Sequence, residues 1–129
     1  MRTILPAAFI LLLGAGCTAQ GPETAGGEDG LARELAGLSP GEPRSCISAT
    51  SNRTLVPQNE TTVTLQEGRT MWVNRLRGPC PRLEPTVTLI VESQGGQYCS
   101  GDHIRALEFG SGIPGRTCFL GEWTPYRPR

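Results

Sequence analysis

Residues 61–76 read Thr-Thr-Val-Thr-Leu-Gln-Glu-Gly-Arg-Thr-Met-Trp-Val-Asn-Arg-Leu, and this stretch decides the fold class. Thr61 to Gln66 alternates and is rich in β-branched residues, the pattern of a half-buried strand. Glu67-Gly68 is a hairpin turn signal. Arg69 to Leu76 continues as a second strand, with Met71, Val73 and Arg75 on one face and Trp72, Asn74 and Leu76 on the other.

The same period extends outward. Cys46–Ala49 and Thr54–Val56 read as short strands, the latter stopped by Pro57. Gly78-Pro79-Cys80-Pro81 is a loop, because its two prolines lack backbone donors and fix φ. Thr86–Glu92 is the strongest strand, with Val87, Leu89 and Val91 alternating with Thr88, Ile90 and Glu92. Gly95-Gly96 turns the chain. Gln97–Cys99, His103–Phe109 and Thr117–Trp123 complete the set, with a glycine-rich loop at Gly110–Gly115. Six to seven short strands predict an all-β barrel or sandwich over residues 44–129.

Four cysteines lie in that domain: Cys46, Cys80, Cys99 and Cys118. A four-thiolate zinc site would bring its ligands in close pairs. Here the gaps are 34, 19 and 19 residues, which favours two disulfides, the usual staple of a small exported domain with a thin core. Cys46–Cys118 would tie the first strand to the last, and Cys80–Cys99 would close the shorter loop. In the loop-entropy model these are worth about 4 and about 3 kcal/mol.

Residues 1–16 have the layout of a secretory signal: Arg2, an apolar run from Ile4 to Leu13, then Gly14-Ala15-Gly16. The run is about ten residues long, half of what a spanning helix needs. Residues 17–43 form an acidic tether rich in Gly and Pro. Within it, residues 29–38 have the pattern of a short helix, with Asp29 as N-cap and Leu31, Leu35 and Leu38 on one face. So short a helix forms only if its leucine face docks.

Formal net charge is zero. Residues 18–42 carry five acids against Arg33, and residues 43–129 carry ten Arg against seven acids. An excess of three positive charges does not by itself indicate nucleic acid. Every basic side chain is Arg, the residue suited to forked recognition of anions.

Leu12-Leu13-Gly14-Ala15-Gly16-Cys17 resembles the lipobox of bacterial lipoproteins, in which the cysteine thiol receives a diacylglyceryl group and becomes the new N-terminus. The resemblance implies lipidation (palmitate) at Cys17 and a membrane anchor. An ordinary signal cut after Ala19 is the alternative. Thr18 is not the aspartate that retains enteric lipoproteins at the inner membrane, which implies the outer membrane. The domain also resembles a family of uncharacterised bacterial envelope proteins. The likeness rests on Cys46-Ile47, Asn74-Arg75-Leu76, Cys80-Pro81-Arg82-Leu83, Cys99-Ser100-Gly101-Asp102 and Cys118-Phe119-Leu120-Gly121. It implies a small exported β protein facing the periplasm and supplies no activity.

No motif names a reaction, a metal or a cofactor. His103 is the single histidine and follows Asp102. The pair is the only basis for a small hydrolase, and adjacency in sequence does not build a triad. Asp102 suits a binding loop beside Cys99 or an Asx turn that caps backbone N–H groups. Arg75, Arg77 and Arg82 flank the Pro79-Cys80-Pro81 loop as a candidate patch for an anionic ligand or an envelope partner, or as a solvated rim. Trp72, Trp123 and Tyr126 belong to a ligand groove or to the core. The Asn52 and Asn59 sequons matter only in a host that glycosylates them. The leading expectation is a non-enzymatic, membrane-tethered binding domain.

Overall fold

A computed structural model describes residues 27–50, 53–108 and 110–129. The signal segment, Cys17 and the first part of the tether lie outside the described residues. So do Asn52, at the first sequon, and Phe109, at the end of an expected strand.

Among the described residues one helix precedes ten strands: α1 (Glu28–Glu34), β1 (Leu38–Pro40), β2 (Cys46–Ser48), β3 (Val56–Asn59), β4 (Thr62–Glu67), β5 (Thr70–Arg75), β6 (Thr88–Glu92), β7 (Gln97–Cys99), β8 (His103–Leu107), β9 (Cys118–Phe119) and β10 (Trp123–Pro128). The protein is all-β, stapled by two disulfides. Its strands form a five-stranded sheet in the order β1-β10-β5-β4-β3, a β2-β7 pair and a three-stranded sheet β6-β8-β9.

The β4–β5 hairpin is the centre. Its two-residue turn is Gly68-Arg69, flanked by the pair Glu67↔Thr70, one residue later than expected. Gly68 has φ +56°, the first-position geometry of a type II′ turn, which only glycine adopts without cost. Both faces of the hairpin are covered. On one, Val63, Leu65, Trp72 and Trp123 join the main core with Ile47, Leu55, Leu83, Ile104, Ala106 and Leu120. On the other, Thr62, Thr64 and Val73 are buried as well.

Helix α1 explains the second covered face. It contacts β3, buries Leu31, and its Glu34 Oε2 accepts from Gln58 Nε2 at 3.3 Å. Gln58 also donates to Thr64 Oγ1 at 2.9 Å. The helix is shorter than residues 29–38. Gly27 occupies the N-cap position without a side-chain cap bond, Asp29 lies in the first turn, and Gly37 at φ +78° reverses the chain. Leu38 therefore begins β1, opposite Pro128. From Glu28 onward the stretch expected as tether is built into the β fold.

Pro57 does not end a strand but lies inside β3, an edge strand where a missing N–H is tolerated. The expected last strand divides into β9 and β10, and β10 runs through two prolines. The Pro125 carbonyl accepts from Gly41 N at 2.7 Å. Its absent N–H therefore faces the β1 side, where the ladder has already ended at Pro40.

The disulfide pairing is Cys46–Cys99 and Cys80–Cys118, which corrects the expected Cys46–Cys118 and Cys80–Cys99. Register decides it. β2 pairs with β7 and sets Cys46 opposite Cys99, while β9 pairs with β8 and meets the Cys80 loop. The first-to-last closure that Cys46–Cys118 was meant to provide is made instead by β1 against β10 and by the Arg44↔Trp123 bridge.

Candidate functional site

Of the residues singled out in sequence, Arg77 reaches the Asp102 turn, and the others bond to separate partners. Asp102 Oδ2 accepts from Cys99 N at 2.7 Å, and the Asp102 N–H donates to Cys99 O at 3.0 Å. Its carboxylate closes a turn, the structural one of its two readings. His103 lies opposite Glu92 across β6–β8, with Nδ1 3.5 Å from Glu92 Oε2 and its ring edge-on to Phe119. The carboxylate beside the imidazole is thus Glu92, and Asp102 serves another partner.

The three arginines also part company. Arg75 donates to Thr62 Oγ1 at 3.2 Å. Arg77 donates to Ser100 Oγ at 2.9 Å and lies against Gly101. Arg82 pairs with Glu108, and its backbone N–H donates to Glu60 Oε1 at 3.2 Å. Arg82 is the one non-glycine at positive φ (64°) among the described residues. It holds that costly conformation between buried Cys80 and buried Leu83. Trp123 is wholly buried, so it is core and no ligand wall.

A different cationic group assembles at the turn end of the central hairpin. Trp72 Nε1 donates to Glu67 Oε2 at 2.6 Å. Arg53 Nη1 donates to Glu67 Oε1 at 2.5 Å. The Arg44 backbone is fixed by two 2.8 Å bonds exchanged with Trp123, which places its guanidinium 5.7 Å from the Trp72 ring centroid, within cation–π reach. Arg127 Nε donates at 3.3 Å to Thr70 Oγ1, and Thr70 is the cross-strand partner of Glu67. Two guanidinium groups, those of Arg53 and Arg127, thus act on one carboxylate, and a third, that of Arg44, lies over the adjoining Trp72 ring.

That surrounding field is visible in Glu67. Its carboxyl is held below the ordinary value of 4.5, first by the Trp72 hydrogen bond and then by the Arg53 hydrogen bond. Partial burial opposes the shift, and the charges of Arg53 and Arg127 add to it. Glu67 is thereby held as the anion between Arg53 and Arg127.

Arg53 also lines a cleft of about 250 Å³. Leu55, Val87, Leu89, Val91 and Tyr98 supply its apolar walls. The inward face of β6 makes one side, because the alternation seen in sequence sets Val87, Leu89 and Val91 on the core side. Tyr98 enters from β7, opposite Ile47 of β2. The result is an open cleft of mixed lining, in which Arg53, Thr54 and Thr88 stand beside the apolar side chains and Arg53 links the cleft to Glu67.

Sequence inspection misses this site because Arg44, Arg53, Glu67, Trp72 and Arg127 are dispersed along the chain and meet only through strand register. Among the described residues no three His, Cys, Asp or Glu side chains gather as metal ligands, and no helix is long and apolar enough to cross a membrane. No protein-family model, characterised protein or solved structure matches the chain.

Proposed function

We propose that this chain is a lipid-tethered protein of the bacterial cell envelope whose β domain faces the periplasm and binds an anionic ligand without transforming it. The signal-like segment and the lipobox-like Leu13-Gly14-Ala15-Gly16-Cys17 support the tether, with Cys17 as the acylated thiol and the outer membrane as destination. Two disulfides suit an oxidising compartment. The observation that carries the binding function is the cationic group about Trp72 and Glu67: Arg44 over the Trp72 ring, Arg53 on Glu67 and at the cleft, and Arg127 on Thr70. Guanidinium forks recognise carboxylate and phosphate oxygens in the plane. Among the described residues Arg44 has no carboxylate partner within 4.0 Å.

The binding half is tested by titrating the oxidised protein with sodium phosphate and sodium citrate while following the Trp72 indole N–H resonance. A saturable shift that is lost in Arg44→Gln and Arg127→Gln supports it; an unmoved resonance in the wild type rejects it. The tether is tested separately by metabolic labelling with a palmitate analogue. Label is expected on the wild type and absent from Cys17→Ala.

A further inference from the structure

We infer that the free edge of β6 pairs with β6 of a second copy of this chain, antiparallel about Ile90, in a two-fold dimer. β6 ends the sheet β6-β8-β9, so β8 takes one of its edges and leaves the other. Strand phase shows what the free edge presents. Asp102 O accepts from Leu120 N at 3.0 Å and Ala106 O from Gly115 N at 2.8 Å, both on the side of β8 away from β6. Backbone groups alternate between the two edges of a strand. His103, Arg105 and Leu107 therefore turn toward β6, and their partners Glu92, Ile90 and Thr88 carry the β6–β8 bonds. The N–H and C=O groups of Leu89 and Val91 point the other way, and among the described residues they have no backbone partner. The cleft takes in both the inward Leu89 and the outward Thr88, so it follows this edge of the strand.

The other sheet edges are blunted, by the devices that keep proteins from pairing edge to edge. β3 carries Pro57 and a register shift, and α1 lies against it. β1 is three residues long and ends in Pro40. β9 is two residues long, and its Phe119 carbonyl already accepts from Arg77 N. β2 and β7 are three residues each and are tied by Cys46–Cys99. β6 alone offers five residues with neither proline nor bulge.

The occupant follows from self-complementarity. With the two-fold axis at Ile90, Leu89 of one copy meets Val91 of the other, the two positions whose backbone groups are free. Each such pair exchanges two hydrogen bonds. Ile90 meets its own copy at a non-hydrogen-bonded position, where side chains approach most closely. Thr88 meets Glu92, so no like charges stand opposed. An axis at Glu92 would instead set two carboxylates face to face. An isologous contact of this kind closes at two copies and leaves no further β6 edge to extend.

The test follows the oxidised full chain by sedimentation and by amide hydrogen exchange over a range of concentrations. The mass is expected to rise from one chain to two. Above the dissociation constant, protection of the Leu89 and Val91 N–H groups is expected to rise about tenfold for a hundredfold rise in concentration, because the monomer fraction falls with its square root. Ile90, bonded to β8, is expected to stay protected throughout. Thr88 is exposed, so its substitutions keep the fold. Thr88→Glu sets a carboxylate against Glu92 twice per dimer and is expected to weaken association about fivefold; Thr88→Lys is expected to strengthen it by a similar factor. A mass of one chain at every concentration overturns the inference, whether Leu89 and Val91 are then protected or not. A dimer that leaves them unprotected overturns the edge pairing. Equal effects of Thr88→Glu and Thr88→Lys overturn the register.

Discussion

Asn74 and Gly121, 47 residues apart in sequence, exchange two hydrogen bonds. Asn74 Nδ2 donates to Gly121 O at 2.8 Å, and Gly121 N donates to Asn74 Oδ1 at 2.8 Å. Both residues are buried. The side-chain amide stands in for one rung of a sheet ladder and joins β5 to the segment between β9 and β10. A Cβ on Gly121 would lie 2.0 Å from Arg75 O, so no larger residue fits.

Asn74→Ala strands a donor and an acceptor of Gly121 in the core. It is expected to cost about 2–4 kcal/mol, read as a lower urea midpoint at unchanged slope. Gly121→Ala is expected to prevent folding, because the clash is with backbone and cannot be relieved by a rotamer.

Non-reducing peptide mapping is expected to recover Cys46 linked to Cys99 and Cys80 linked to Cys118. With separations of 53 and 38 residues, each bond is worth about 4 kcal/mol in the loop-entropy model. Cys80 and Cys118 are buried, whereas Cys46 and Cys99 are partly open. Exchange needs access to a sulfur. Brief treatment with a dithiol followed by alkylation should therefore label Cys46 and Cys99 first; label arriving first on Cys80 would contradict the packing.

Glu67 binds a proton less readily in the folded protein than in the unfolded chain, because Trp72 and Arg53 hold its carboxylate. Its stabilisation is therefore complete above its ordinary value of 4.5 and is lost as pH falls through the depressed one. Glu67→Gln is expected to lower Tm near neutrality, with the gap closing in acid. The carboxylate is 39% exposed, so the effect is held to about 1 kcal/mol. A gap that widened in acid would refute the network.

Leu31→Ala is expected to cost about 2–3 kcal/mol, since Leu31 is only 4% exposed and anchors α1. Chemical denaturation measures this directly. A change below about 0.5 kcal/mol, the range of surface substitutions, would mean that the helix does not dock.

The central hairpin was legible because alternation over Thr61–Leu76 and a glycine turn act locally. The same logic located β6 and β7. It failed where tertiary context overrode the local signal. Leu38 continues the helical spacing of Leu31 and Leu35, yet Gly37 turns it into β1. Pro125 and Pro128 hid β10, whose place depends on a neighbouring ladder that ends in time. The cysteine types and number implied two disulfides, but their partners follow from the β2–β7 register, which no spacing encodes. Asp102 was legible as a turn former. The arginine group was not, because its members are contributed by the Arg44 bridge, the Arg53 segment and β10, and only the paired strands bring them to Trp72 and Glu67.

The position of β10 between β1 and β5 constrains the order in which the chain can assemble. β4 and β5 zip together across a two-residue turn as soon as both exist. The other edge of β5 waits nearly fifty residues for Trp123–Tyr126, and β1 waits longer still for its only neighbour in the sheet. During vectorial synthesis or translocation, the newly emerged hairpin would carry an open edge with Trp72 exposed. The central sheet would close only after the final strand arrived. Such non-local closure makes folding slow and selects for a nascent chain kept from pairing with its neighbours until its last strand is free.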